Sequence, residues 1–382
     1  MSKRHHLQIA LVGGSPEPVY QGIKHLRPDQ VLLLCSKKSK KDADNIKREL
    51  DKSNDRTEIV IYPIPDTGLE EMQEAAEYIE SSIPKGISVS MNLTGGMKLW
   101  SLVFNNVFRR RRRSCHAFFI LNGVYIDLKD KATKGKVDFD MDAQFKILGH
   151  SLDEYTSYND YTDKDFVVLD DVLLLGLQPK YHNIFTKLTS KFYSDYKDKY
   201  GNLDLLYNQS TTQGQSFLEW NSEAQTFHCK IKDRNVFLKS PHVASIVLNT
   251  GWFELCTAKM IASTGRAKDI RLNCVFKSTN DIPKNEIDII FNTGDKLIFV
   301  ECKTQVYNST DVDKFNSAVR NYGGLGSRPL FVTNWKMNPD PKEKCTDYGI
   351  TTFYLNHPKT EIEKIEALAK VIEELNRTWN YK

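Results

Sequence analysis

Four residues in the C-terminal half have the types and spacing for hydrolytic chemistry: Glu254, Asp288, Glu301 and Lys303. Asn285 to Phe291 reads as a strand, Asn292 to Asp295 as a turn, and Leu297 to Lys303 as the returning strand. Alternate strand residues share a face, so Glu301 and Lys303 point the same way and Cys302 points into the opposite layer. If Thr293-Gly294 is a tight two-residue loop, Asn292 pairs with Asp295 and Asp288 with Phe299. Asp288 then shares the Glu301 face, diagonal to it; a bulged three-residue loop would reverse that face. Diagonal neighbours lie roughly 7–8 Å apart, a gap that one hard cation can bridge between two carboxylates. Such an ion polarises a phosphodiester and lowers the pKa of its bound water, while a lysine orients that water and offsets charge on the phosphate. The bland alternative is a hairpin with solvated charges, but Ile298-Phe299-Val300 makes this strand too apolar for decorative charge at its end. Glu254 sits in the first turn of a helix starting near Gly251. It could simply complement the helix dipole, yet Trp252, Phe253 and Leu255 surround it and turn it toward a buried cleft. Glu286 is a reserve metal ligand.

A second set of residues could hold an anion. The first strand ends in Val12-Gly13-Gly14-Ser15-Pro16-Glu17-Pro18, and a later one in Asn92-Leu93-Thr94-Gly95-Gly96-Met97-Lys98 before a helix. Neither is GxGxxG, which disfavours a dinucleotide cofactor. Glycines at the carboxyl ends of parallel strands, with a helix N-terminus and Lys98 beside them, suit a phosphate-bearing ligand spanning both loops. Two ordinary strand-to-helix turns are the alternative.

These residues need elements to carry them. Over the first ~145 residues, β-rich runs (7–12, 31–35, 58–62, 87–92, 115–121) alternate with helical patterns (18–26, 41–52, 69–83, 97–110). That alternation implies a mostly parallel sheet covered on both faces, closed by a hairpin through Asn122-Gly123. The aromatic, polar stretch 149–171 lacks periodicity and is expected to be a linker between a 1–148 domain and a 172–382 domain. The latter shows a helical pattern near 181–200, β-like runs near 225–239 and an amphipathic C-terminal helix at 360–379. Ser309 to Lys314 resembles a capped helix start; Lys314 either approaches a scissile phosphate or is solvated. Gly323 to Arg328 either lets a nucleic-acid backbone come close or makes a turn. Arg109 to Arg113 either complements a helix C-terminus or tracks phosphates.

Two resemblances follow from these motifs. Helix-borne Glu254, then Asn285-Glu286-Ile287-Asp288, then Val300-Glu301-Cys302-Lys303-Thr304 and a helix resembles the restriction-endonuclease-like PD-(D/E)xK family over about residues 252–333. The resemblance implies an α/β fold with a mixed sheet, Asp288 and Glu301 binding Mn²⁺ or Mg²⁺ with help from Glu254, and Lys303 serving catalysis. Ile287 replaces the proline of the family name, at a position variable in that family. Asn92 to Lys98 resembles the Asn-x-Thr-Gly-Gly-x-Lys signature of CARF domains, Rossmann-like sensors of type III CRISPR defence, over about residues 1–145. It implies a homodimer that binds a cyclic oligoadenylate, with Gly14, Ser15 and Glu17 in one loop and Asn92, Thr94, Gly95, Gly96 and Lys98 in the other. The combination resembles CRISPR ancillary nucleases activated by cyclic tetra-adenylate, in which ligand binding rearranges the nuclease pair. DNA, RNA or both could be the substrate. Two other readings stand: a ligand-binding regulator or sponge with an inactive second domain, and an ungated repair or restriction nuclease whose first half dimerises. Whether Ser15 or Lys98 helps the sensor degrade its own ligand is open.

The bulk composition fits these expectations without choosing among them. The 382 residues are 40% hydrophobic and 27% charged with a net charge of +4, ordinary for a globular chain of two domains and too weakly basic to identify a nucleic-acid partner. No apolar run approaches the roughly 18 residues of a membrane span. Seven scattered cysteines with no CxxC pair suggest free thiols in a reducing cytoplasm rather than a zinc or disulfide framework.

Overall fold

A computed structural model describes residues 5–52, 57–65, 68–112, 115–121, 123–129, 133–136, 140–198, 203, 205–248, 250–277, 286–294, 296–324, 326–356 and 360–377. In the N-terminal half, β1 (His6–Val12), α1 (Glu17–Leu26), β2 (Gln30–Cys35), α2 (Lys40–Lys52), β3 (Glu58–Pro63), α3 (Leu69–Ser82), β4 (Ser88–Asn92), α4 (Lys98–Arg111) and β5 (Cys115–Leu121) alternate as the sequence pattern implies. Then β6 (Val124–Asp127) and β7 (Thr133–Lys136) return antiparallel. The sheet order is β3-β2-β1-β4-β5-β6-β7, parallel through β5. Because β1 is apolar on both sides, it can be covered on both. Ala10 and Val12 pack with α1 and α2, while Leu7, Ile9 and Leu11 pack with α3 and α4. The chain turns outward in opposite directions from β1 and β4, so their carboxyl ends meet at the switch point where open α/β sheets bind ligands.

The expected linker is folded. After α5 (Met141–Ile147), β8 (Leu152–Ser157) joins the sheet of the second half, and α6 (Asp163–Leu177) begins inside the same stretch. Its aromatics hide the pattern: Tyr155 lies against the Arg271 guanidinium, 4.4 Å from the ring centre. Helix α5 ties the halves together. Met141 and Phe145 are buried in the C-terminal core, whereas Ile147 is buried with α1 and α2. Asp142 pairs with Arg271 at 2.5 Å, and Asn45 donates to the Ile147 carbonyl at 3.2 Å.

The remaining elements are α7 (Pro179–Tyr196), β9 (Gln209–Gln213), β10 (Ser216–Asn221), β11 (Thr226–Ile231), β12 (Arg234–Leu238), α8 (Val243–Val247), α9 (Gly251–Ser263), β13 (Asp269–Phe276), β14 (Glu286–Asn292), β15 (Leu297–Lys303), α10 (Thr310–Tyr322), β16 (Arg328–Thr333), α11 (Pro339–Asp347), β17 (Thr351–Tyr354) and α12 (Glu361–Arg377). Strands β9 to β12 form a small antiparallel sheet; the main mixed sheet runs β17-β16-β15-β14-β13-β8. Its two faces are separate cores. Ile298, Val300 and Cys302 face α9 with Phe253 and Ile261, and Leu297 and Phe299 face α10 with Val312 and Phe315. Leu368, Ile372 and Leu375 form the buried stripe of α12, each stabilising by about 1.5–3 kcal/mol relative to exposure. All seven cysteines are free. Among the described residues no helix is long and apolar enough to cross a membrane.

Candidate active site

The β14–β15 hairpin differs from the expected register. Asn292 pairs with Leu297, not Asp295 (which lies outside the described residues), and Ile289 pairs with Val300. The next pair along the ladder is Asp288 with Glu301, directly opposite rather than diagonal. The loop is two residues wider than expected, and Lys296 within it is buried and donates its ammonium to the Asn376 carbonyl at 2.6 Å, at the C-terminal end of α12, where a cation is favoured. The shift is two residues, so the shared face survives.

Asp288, Glu301 and Lys303 therefore converge. Lys303 Nζ lies 2.8 Å from Glu301 Oε1 and 3.6 Å from Asp288 Oδ2. The Cys302 backbone N–H donates to Asp288 Oδ2 at 2.6 Å, which fixes that carboxylate. Cys302 itself is buried in the core opposite, as alternation requires. Burial raises the pKa of Glu301, and the Asp288 charge raises it further. Burial also raises Asp288, against the pull of Lys303. Glu254 is raised well above the carboxylate range, by burial first and then by Asp288 and Glu286, so α9 has brought it into the same electrostatic site. Burial works against a charged Lys303, but Asp288, Glu301 and its hydrogen bond to Glu301 outweigh that and keep it a cation. Glu286, at the head of β14, is raised by burial and by Asp288.

Burying several carboxylates around one ammonium leaves excess negative charge, and that is what a divalent cation neutralises. Asp288 and Glu301, and Glu254 within reach of their charge, are hard oxygen donors of the kind that fit Mg²⁺ or Mn²⁺, ions that keep several waters. Among the described residues no three such side chains are closed into a cage. Lys303 Nζ stands between the two strand carboxylates, and its charge does there part of what a metal would do.

Sequence reasoning missed Thr333. It aligns with Lys303 across β15 and β16, is fully buried, and its hydroxyl has no hydrogen-bond partner among the described residues. A threonine at a strand end carries no signal by itself; only the parallel register puts it beside the lysine. Lys314 lies exposed on α10. Arg111 and Arg112 pair with Glu77 and Glu80 at 2.9 Å, so part of the arginine run fastens α4 to α3; Arg113 lies outside the described residues.

At the carboxyl ends of β1 and β4, the two glycine loops touch. A Cβ on Gly13 would lie 2.6 Å from the Gly96 nitrogen, and Gly96 has φ +75°, so neither position tolerates a side chain. Gly14 faces open space, Ser15 is half-buried and Lys98 exposed at the start of α4, so these can meet a ligand. Asn92 and Thr94 also brace the loops from within. The fully buried Asn92 amide donates to the Pro18 carbonyl at 3.0 Å, and the Thr94 hydroxyl accepts from the Ile120 N–H at 2.7 Å. Glu17 turns away from the opening. It is buried, and a Cβ placed on Gly324, in the loop after α10, would lie 2.8 Å from its Oε1.

Comparison with known proteins follows this division. Residues 19–155 match the Card1 CARF domain family, and residues 242–351 match the Card1-like endonuclease domain family. The chain joins a CARF domain to a Card1-like endonuclease domain. The solved structure of Can2 from Sulfobacillus thermosulfidooxidans in complex with cyclic tetra-adenylate superposes with a TM-score of 0.70 at 16% identity, covering 98% of this chain and 100% of that one. Protein VC1899 from Vibrio cholerae gives 0.75 at 14% identity, with 97% and 98% covered. A type III CRISPR defence DNA nuclease activated by cyclic oligoadenylate gives 0.55 at 16%, with 89% of this chain and 47% of that one covered. At these identities the likeness is one of fold. A comparison with curated proteins gave no match. The CARF domain thus carries the Asn92–Lys98 loop, and the endonuclease domain contains Glu254, Asp288, Glu301 and Lys303.

Proposed function

We propose that this chain is a metal-dependent nuclease of type III CRISPR defence, switched on by a cyclic oligoadenylate, of which cyclic tetra-adenylate is the first to test. The observation that carries this reading is the Asp288–Lys303–Glu301 cluster, whose charge acts on Glu254, inside an endonuclease domain fused to a CARF domain. Asp288 and Glu301, helped by Glu254, would hold Mg²⁺ or Mn²⁺. When bound, the ion supplies a polarised phosphate and a water acidic enough to attack it. The chain does the rest. The Cys302 N–H holds one Asp288 oxygen and leaves the other free. Lys303 is kept charged and offsets charge building on the phosphate. Carboxyls raised by burial give up protons when a cation arrives, so metal binding should release protons.

In the sensor, Gly14, Ser15 and Lys98, on loops braced by Asn92, Thr94, Gly95 and Gly96, would take the ligand at the switch point. Can2, of like fold and solved in complex with cyclic tetra-adenylate, supports that choice of ligand. The decisive assay is cleavage of labelled single- and double-stranded DNA and RNA with Mn²⁺ or Mg²⁺, with and without cyclic tetra-adenylate. Cutting only with both metal and ligand is expected. Cutting without ligand would remove the switch, and ligand binding without any cutting would favour a sponge.

A further inference from the structure

Residues 156–241 lie between the two family matches, and they contain the small sheet β9–β12. One face of this sheet is core: Leu218, Trp220, Phe227, Cys229 and Leu238 are buried against α6, α7 and α8. Strand alternation therefore commits the other face to solvent. That face carries a row of rings. His228 and Phe237 are direct cross-strand partners whose rings stack at 4.0 Å and 10°. Phe217, on the next strand, meets His228 edge-on at 4.9 Å.

The row is held in place. His228 Nε2 lies 2.7 Å from Asn235 Oδ1, and Nδ1 lies 3.4 Å from Glu219 Oε2. The outermost ring, Phe237, is on the edge strand and 70% exposed. It ends a rigid stack with one ring face open, at a cost in hydration that no contact among the described residues recovers. Beside it opens a cleft of about 410 Å³, lined by Asn208, Ser210, Asn221 and Thr226 along with the two rings, a size within the range of ligand sites. Lys230 and Lys239, two residues beyond His228 and Phe237 on their strands, are exposed on either side of the rings. The one acid at the strand positions of this face, Glu219, is engaged by His228.

We propose that the outer face of β9–β12 is a stacking platform for single-stranded nucleic acid. A base would continue the Phe237–His228 stack, amides and hydroxyls in the cleft would meet base edges, and the basic rim would follow the phosphates. A protein-docking patch is a poorer match, because it calls for contiguous apolar surface and the neighbours of these rings are polar or charged. A duplex is also a poorer match, since its bases already stack on one another. The proposal rests on the nuclease reading only for the purpose of the strand, as substrate; binding itself is measurable separately.

The test is fluorescence anisotropy with labelled single-stranded RNA, single-stranded DNA and duplex of one sequence, using the full chain in EDTA so that nothing is cut. Phe237→Ala should weaken single-strand binding by about 5- to 50-fold, and Phe237→Trp should restore it. Lys230→Ala should lower the slope of log Kd against log salt by about one. Phe237 is exposed, so an unchanged melting temperature is expected and certifies the fold. Unchanged single-strand affinity in Phe237→Ala overturns the platform. So does a shift in oligomer mass with no change in affinity, which would make the face a contact between copies. Cleavage by Glu301→Gln would sink the nuclease site and leave the binding result standing.

Discussion

Lys303 is held between two carboxylates that burial has made reluctant to ionise. Its removal takes away the positive group that, among the described residues, touches both. Lys303→Ala should therefore lower the cleavage rate by at least about 10²-fold while ligand binding to the sensor is unchanged. Full activity in that variant would remove Lys303 from the site. Glu301→Gln should abolish cutting too, yet raise the melting temperature of the metal-free protein, because it deletes a carboxylate whose charge is unfavourable where it sits. Mg²⁺ or Mn²⁺ should then stabilise the parent chain and not the variant; equal stabilisation of both would place the metal elsewhere. In the sensor, Lys98→Ala should weaken cyclic tetra-adenylate binding, read by calorimetry, and an unchanged Kd would clear Lys98 of that role.

At the scale of elements, the strand-to-helix turn before α1 and the turn after α10 meet through Glu17. Its carboxyl has no side-chain hydrogen-bond partner among the described residues, and its pKa is pushed from 4.5 up to about 7, by burial first, with Asp42 adding and its own backbone N–H partly offsetting. Gly324, with φ +62°, provides the room opposite it. A carboxyl with a raised folded-state pKa favours the fold while neutral. That stability is fully present below about pH 4.5 and is lost as pH rises through about 7. Glu17→Gln is neutral throughout, so it should match the parent near pH 4 and exceed it in unfolding free energy by about 3 kcal/mol at pH 8. Parallel stability profiles for the two chains would show that the carboxyl is not neutral in the fold.

For the whole molecule, the proposed gating calls for two copies, because the ligand loops open at the end of one sheet rather than in an enclosed pocket. Beside them, the start of α4 exposes Met97, Leu99 and Leu102, the last 68% exposed. Single exposed apolar residues are common, but three within one and a half turns beside an open loop support a contact between copies. Light scattering should give twice the 43.9 kDa chain mass. Leu102→Glu should shift it to the monomer and reduce cyclic tetra-adenylate affinity with it. A dimer unaffected by that change would move the interface off α4.

What the sequence determined by itself is what local periodicity encodes. The alternation of apolar strands and helices over residues 7–121 specified the parallel sheet, and the Asn92–Lys98 motif stands at the carboxyl end of β4. The common face of Asp288, Glu301 and Lys303 was legible although the register was off by two, because side-chain period is two and an even shift preserves the face. The tertiary structure decided whatever depends on distant partners. Residues 149–171 carry no amphipathic pattern, yet become β8 and part of α6; β13 supplies an edge for β8, and Arg271 lies over the Tyr155 ring. The motifs say nothing of what Glu17, Asn92 and Thr94 touch within the chain; the fold sets them against Gly324, Pro18 and Ile120. Thr333 and the ring row of Phe217, His228 and Phe237 exist only where register lines up residues from separate strands. Local pattern fixes which face a side chain takes, and long-range pairing, which the chain encodes only through the packing of the whole, fixes what it meets there.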